Sequence, residues 1–202
     1  MSDTATEYDN VYAPPVSAVA EPLSEAEAAQ FYVVAPWKFL LLFFATLGIY
    51  SLYWFWRHWA QQKRRYKLDI WPVPRAIFQI FFAHSLNREI DFRLGRVDAK
   101  YRWSPGAHAT SFVVFSILSN IVDRLSAVSI GSPYTDVLAL LVLLPLAYSM
   151  LQAQKAANAA CGDPRGLSNA RLTVANYFWI ILGFVLWAMA ALGALVEAGV
   201  ME

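Results

Sequence analysis

Apolar and polar positions fall in long separate blocks along this chain, and the blocks predict helices. From Phe39 to Trp56 the only ionisable side chains are Tyr50 and Tyr53, and no polar face recurs at helical spacing. A helix over these residues rises about 27 Å, close to the hydrocarbon thickness of a bilayer. The pattern therefore predicts a first membrane span over about 39–56. Three later apolar blocks predict further spans over about 109–130, 136–152 and 173–196. The second is interrupted every three or four residues by Ser116, Ser119 or Asn120, Asp123 and Ser126, a polar stripe that lipid cannot satisfy. Pro145 lies inside the third and predicts a kink. Gly183, Ala190 and Ala194 share one face of the fourth, where a neighbour can approach closely.

Between the first two spans the period changes. Pro72 and Pro74 suit a helix entry, and the apolar run Ala76–Ala83, which contains Gln79, is too short to span. From there His84, Asn87, Arg88 and Asp91 fall at i, i+3, i+4 and i+7 and make one polar face. Basic residues flank both sides, so an interfacial or re-entrant cytoplasmic helix is expected over about 74–93. The fold expected is all-α: a polytopic membrane helical bundle of four transmembrane helices plus that helix, one membrane domain over 37–202. Residues 1–36 read as a tail. They hold Asp3, Glu7, Asp9, Glu21, Glu25 and Glu27, three prolines and no lysine or arginine, so disorder is expected. Ser24 and Glu27 have capping-box spacing for one short helix.

Composition sharpens this picture. Of 202 residues, 58% are apolar, 15% aromatic and 15% charged, against about 25% charged in ordinary globular domains. Eight tryptophans suit a chain with much interfacial surface, and Tyr50, Tyr53, Trp54, Trp56 and Trp59 read as an aromatic belt at the end of the first span. The net charge of +1 hides strong segregation. Fourteen of the sixteen lysines and arginines lie in 57–102 or in the loop carrying Lys155, Arg165 and Arg171. Four spans with both termini outside put these fourteen in the cytoplasm. Nothing in the first 30 residues resembles a cleavable signal peptide.

The stretches FYVVAPWKFLLLFFATLGIYSLYWFW, WPVPRAIFQIFFAHSLNREID and AANAACGDPRGLSNARLTVANYFWI resemble a group of small bacterial inner-membrane proteins of unknown function. The resemblance covers roughly residues 31–182, and its most specific part is the T-L-G-I-Y-x-x-Y-W-F block at Thr46–Phe55. It implies a multi-pass protein of a bacterial inner membrane. It implies no activity, substrate or cofactor.

Candidate chemistry is sparse. His58, His84 and His108 show no metal-ligand spacing, and the single cysteine, Cys161, excludes an intrachain disulfide. No Walker loop, G-x-S-x-G or H-E-x-x-H motif is present. No cofactor, metal or nucleic-acid partner is expected. Three groups of polar residues remain. Lys63, Arg64, Arg65 and Lys67 beside membrane-level aromatics suit anionic headgroups, although the positive-inside bias alone also explains them. His84, Asn87, Arg88 and Asp91 with Asp163, Arg165 and Asn169 are candidates for one cytoplasmic polar pocket, against the simpler reading of a turn and a helix cap. Asn120, Asp123 and Arg124 are candidates for an intramembrane polar site or an orienting ion pair. The leading functional expectation is a non-enzymatic membrane component that binds lipid, a membrane protein partner or a second copy of itself through its basic, aromatic-rich face. Alternatives are a small oligomeric transporter or channel subunit, and a lipid-modifying enzyme using His84 with Asp91 or Asp163.

Overall fold

The computed structural model describes residues 30–197. The tail over 1–29, with its Ser24–Glu27 capping box, lies outside the described residues. Seven α-helices follow one another, and no strand occurs among the described residues: α1 (Pro36–Ala45), α2 (Tyr50–Tyr66), α3 (Pro72–Ile77), α4 (Gln79–Val97), α5 (Pro105–Ala127), α6 (Tyr134–Ala160) and α7 (Val174–Glu197). Three of them are long and apolar enough to cross a membrane: Pro105–Ala127, Tyr134–Ala160 and Val174–Gly193.

The expected fourth, at 39–56, is instead two helices. The chain breaks at Thr46–Ile49, where Leu47 has φ 50° and Gly48 has φ 86°. Glycine accepts that conformation freely, whereas leucine at positive φ is strained. Thr46 joins the two helices: its buried Oγ1 donates to the Leu42 carbonyl at 2.9 Å and accepts the Tyr50 N–H at 2.9 Å. The Gly48 N–H closes the turn on the Phe43 carbonyl at 2.9 Å. One side chain thus bridges both helices: it adds a second donor at the end of α1, where the Thr46 N–H already reaches the Leu42 carbonyl at 3.2 Å, and it supplies the acceptor for the first N–H of α2. The chain then doubles back. The Phe39 ring lies 6.2 Å from Tyr50 and 6.3 Å from Trp54, although in one straight helix residues 39 and 54 would be about 22 Å apart.

Two expectations change with this turn. The first apolar block is a helical hairpin and not a single span. The expected aromatic belt is largely core: Tyr50, Trp54 and Trp59 are buried, while Tyr53 and Trp56 are partly so. An apolar block without a polar face is what this hairpin requires, because it is covered by neighbours on several sides. Period alone cannot tell such a block from a span.

The tip of the hairpin sits against the middle of α7. A Cβ on Gly183 would come within 2.1 Å of the Ala45 carbonyl oxygen, so only glycine permits this approach. Four residues further on, Trp187 Nε1 donates to the Phe44 carbonyl at 3.0 Å. The close approach foreseen for Gly183 is present; Ala190 on the same stripe is exposed. On the other side, Leu143 of α6 meets the turn at Gly48.

Helix α6 has 27 residues and runs past the expected end at 152, a rise of about 40 Å. Alanine at 153, 156, 157, 159 and 160 sustains the helix where a loop was expected. Helix α4 packs on the bundle through Ala83, Leu86, Ile90 and Leu94, spaced as one helical stripe. The break between α3 and α4 falls at Phe78.

If Thr46 couples the two hairpin helices, Thr46→Val should cost about 1–3 kcal/mol, because an isosteric methyl leaves the buried Tyr50 N–H unpaired. Thr46→Ser should retain most of the stability, and Gly183→Leu should lower the melting temperature by driving α1 off α7. Thermal unfolding of the purified protein, followed by tryptophan fluorescence, measures all three. A wild-type transition for Thr46→Val would remove the hydroxyl from this role.

Candidate functional site: a cationic collar above a buried polar base

Residues 30–35, assigned by sequence to the tail, are instead an extended strap across the base of the bundle. Gln30, Phe31, Tyr32, Val34 and Ala35 are all buried. An extended segment so buried must find partners for its backbone, and side-chain amides supply them. Gln154 Nε2 donates to the Tyr32 carbonyl at 2.9 Å. Asn158 Nδ2 donates to the Val34 carbonyl at 2.9 Å, and its Oδ1 accepts the Val34 N–H at 3.3 Å. Asn169 Nδ2 donates to the Val33 carbonyl at 2.8 Å. Gln154 and Asn158 stand one turn apart on α6 and are themselves bonded at 2.7 Å. Gly166, at φ 65°, lies where any Cβ would come within 2.6 Å of the Val34 backbone.

The strap and hairpin enclose two ionisable groups. Lys38 Nζ, on a residue only 1% exposed, donates to Asn169 Oδ1 and to the Arg171 carbonyl, each at 2.7 Å. Burial draws its ammonium below the usual lysine range. His58 is fully buried among Phe31, Tyr32 and Trp54, whose rings lie 4.2–6.1 Å from its own. Neither ring nitrogen has a hydrogen-bond partner. Burial pushes its pKa down to about 3; the neighbouring Gln154 amide opposes this, and the Arg57 charge adds a smaller push in the same direction as burial. Cys161 is buried as well; its Sγ lies 3.8 Å from the Phe31 carbonyl, and burial pushes the thiol up to about 11. That agrees with a structural cysteine, since the thiolate is the reactive form.

Of the seven residues expected to form one polar pocket, five have separate partners. Asn87 Nδ2 donates to the Pro105 carbonyl at 3.0 Å, His84 lies 3.1 Å from the Thr110 hydroxyl, and Asp91 accepts Trp103 Nε1 at 2.8 Å. These three tie α4 to the start of α5. Asp163 accepts the Leu167 and Ser168 N–H groups at 2.9 and 2.8 Å. Burial opposes its ionisation, but these amide bonds outweigh that and hold its carboxyl below the usual range. Asn169 belongs to the strap, and Arg88 and Arg165 are exposed. The turn-and-cap reading therefore describes Asp163, while Asn169 has a larger part than either reading gave it.

Of the intramembrane candidates, Asp123 Oδ2 accepts the Ser119 hydroxyl at 3.2 Å, and Asn120 Nδ2 donates to the Ser116 carbonyl at 2.8 Å. Arg124 is exposed in the last turn of α5. The upper part of the stripe does not face a plain helix interface. Ser116, Ser119 and Asn120 join Ser51 and Gln79 around a cavity of about 220 Å³ beneath the hairpin turn.

The remaining candidates form an exposed collar. Lys63, Arg64, Arg65 and Lys67 are all exposed at the end of α2. Lys67, at φ 51°, terminates the helix, and Lys63 Nζ donates to the Ile70 carbonyl at 2.9 Å to hold the turn. Directly after it comes an apolar edge: Trp71 is 73% exposed and Phe81 74%, with Val73, Ile77 and Phe78 exposed between them. Arg75 stacks 4.4 Å over Trp59 and 4.9 Å over Phe82, a cation–π pairing that joins the basic run to the core. Cationic and apolar groups thus stand side by side on one exposed rim. Among the described residues no cluster of three or more His, Cys, Asp or Glu side chains is placed to hold a metal ion.

Sequence reasoning missed His58, Gln154, Asn158 and Gly166. A signal existed for two of them: Gln154 and Asn158 fall at i, i+4 in an alanine-rich run, so both amides share one helix face. A histidine kept neutral by burial predicts a pH dependence. The unfolded chain binds a proton on His58 below its ordinary pKa of 6.5 and the folded chain does not, so stability falls as pH drops from 6.5 toward 3. At about pH 4.5 the loss attributable to His58 should be about 2–3 kcal/mol. His58→Leu should flatten that part of the denaturation-versus-pH curve, whereas an unchanged slope would show that carboxylates alone set it.

No family model matches this chain, and no curated protein or solved structure matches it either.

Proposed function

We propose that the protein is a non-enzymatic integral membrane component that binds anionic phospholipid headgroups through the collar at Lys63–Lys67. The observation that carries this reading is the contiguity of four exposed cations with the exposed apolar edge from Trp71 to Phe81. Such a rim matches the boundary of a bilayer, where acyl chains and phosphates lie within a few ångströms. Each cation near an anionic surface contributes about 1 kcal/mol. An enzymatic reading has less support, because Asp91 and Asp163 are both engaged in structural bonds.

With the hairpin in place of a first span, we propose a topology of three crossings where four were expected. Lys38 is bonded to the loop that holds Asn169 and Arg171, which supports a topology in which fifteen of the sixteen basic residues share one side and Arg124 alone faces the other. With α5, α6 and α7 as three crossings, the strap and the tail before it lie on the cytoplasmic side and the C-terminus lies outside. The acidic tail then never has to cross the membrane. The inner membrane of a bacterium is the proposed location, in keeping with the sequence resemblance.

Two measurements test these statements. Native nanodiscs of wild-type protein should be enriched in anionic phospholipid. Glutamine at Lys63, Arg64, Arg65 and Lys67 together should reduce that enrichment about tenfold or more. Glutamine at Arg88, Arg96, Lys100 and Arg102 serves as the charge-matched control and should not. Equal loss in both variants would reduce the collar to a topology signal. For orientation, in a Cys161→Ser background, Arg64→Cys and Ala18→Cys should react with an impermeant maleimide only from the cytoplasmic face, and Gly199→Cys only from outside.

A further inference from the structure

We infer that the cavity beneath the hairpin turn is a binding site for an uncharged, hydroxyl-bearing single-chain lipid of the monoacylglycerol type, entering sideways from the acyl layer. This site is separate from the collar and does not depend on headgroup binding there.

The volume is the first support. At about 220 Å³ the cavity exceeds the roughly 150 Å³ that accepts benzene in an engineered apolar core. Its lining is the second. Five neutral hydrogen-bonding side chains, Ser51, Gln79, Ser116, Ser119 and Asn120, come from three helices, and no charged side chain lines it. Facing them are Phe43, Leu47, Leu143 and Leu146. A few polar groups against an apolar wall is the usual make-up of a small-ligand pocket. A charged ligand would lose its hydration here without gaining a partner, which costs far more than burying a hydroxyl.

Two further observations point to a ligand. Gln79 Oε1 is buried without a hydrogen-bond partner, an acceptor suited to a donated hydroxyl. The non-helical backbone of Leu47, Gly48 and Ile49 also lines the cavity. Irregular backbone at membrane depth is tolerated where protein covers it or where it borders a polar cavity. The exposed lining residues of the hairpin, Ile49 and Leu52, are aliphatic. On α5, Ile117 and Ile121, next in sequence to the lining Ser116 and Asn120, are exposed as well, as is Val114 one turn before Ile117. The mouth therefore opens on an apolar belt that acyl chains would cover, and an amphiphile can leave its chain there while its head enters.

The test uses the full chain in phosphatidylcholine nanodiscs. The probe is a monoacylglycerol carrying a diazirine near its ester; a fatty acid with the same diazirine is the charged comparison. After photolysis, adducts of the glycerol ester should concentrate on residues 43–52 and 112–120, and excess monoolein should suppress them. Ser116→Phe, which fills the cavity, should lower labelling about fivefold, and the fatty acid should label the same peptides more weakly. Should Ser116→Phe not fold, Asn120→Leu with the monoolein competition on wild type gives the same reading. Labelling that spreads evenly over the exposed face of α7, resists competition, or is equally strong with the fatty acid would overturn the assignment.

Discussion

The fold depends on one hydroxyl at one turn. Thr46 stands where an apolar stretch long enough to cross a bilayer folds back on itself, and its Oγ1 serves the last carbonyls of α1 and the first amide of α2 together. Exposing bare helix ends away from water is costly, so a helical hairpin inside an apolar bundle needs such a device. Everything around the turn follows. Because α1 returns, its tip meets Gly183 and Leu143 and its base meets the strap. Because α2 returns beside it, Trp54 and His58 are enclosed and the basic end of α2 stands at the rim.

The base below shows how a buried extended segment is made tolerable. Three carboxamides, at 154, 158 and 169, take the place of a neighbouring strand and pair with the strap backbone. Neutral amides suit this task because each offers both donor and acceptor without the cost of burying a charge. The one ammonium present, Lys38, is matched by two oxygens at 2.7 Å. His58 is different. It fills an aromatic cage as a neutral ring, and its unpaired nitrogens make the base sensitive to acid.

Much of this was legible in the sequence. The three later apolar blocks, the helical face of α4, the strain-prone Gly183 contact and the exposure of Lys63–Lys67 all follow from period and composition. The hairpin did not, for a physical reason. Hydropathy reports the medium around a segment, and the inside of a helical bundle is as apolar as lipid. The T-L-G at 46–48 holds the turn, yet threonine and glycine are ordinary within membrane helices. The strap escaped notice because burial of a polar-looking segment depends on distant partners, more than 120 residues away in sequence for Tyr32 and Val34. The polar stripe of α5 was visible, but its companions Ser51 and Gln79 sit on other helices, and only the fold brings them together.

The strap carries a consequence for biogenesis. Its amide partners and the glycine that lets it pass all belong to the C-terminal half of the chain. While the ribosome is still making α5, the strap has none of these partners to seat against. The strap must therefore wait until α6 and the 161–173 loop arrive. Order of synthesis and order of assembly are reversed for the strap: it is made before its partners and locked in after them, and a chain truncated before Gln154 would leave it undocked.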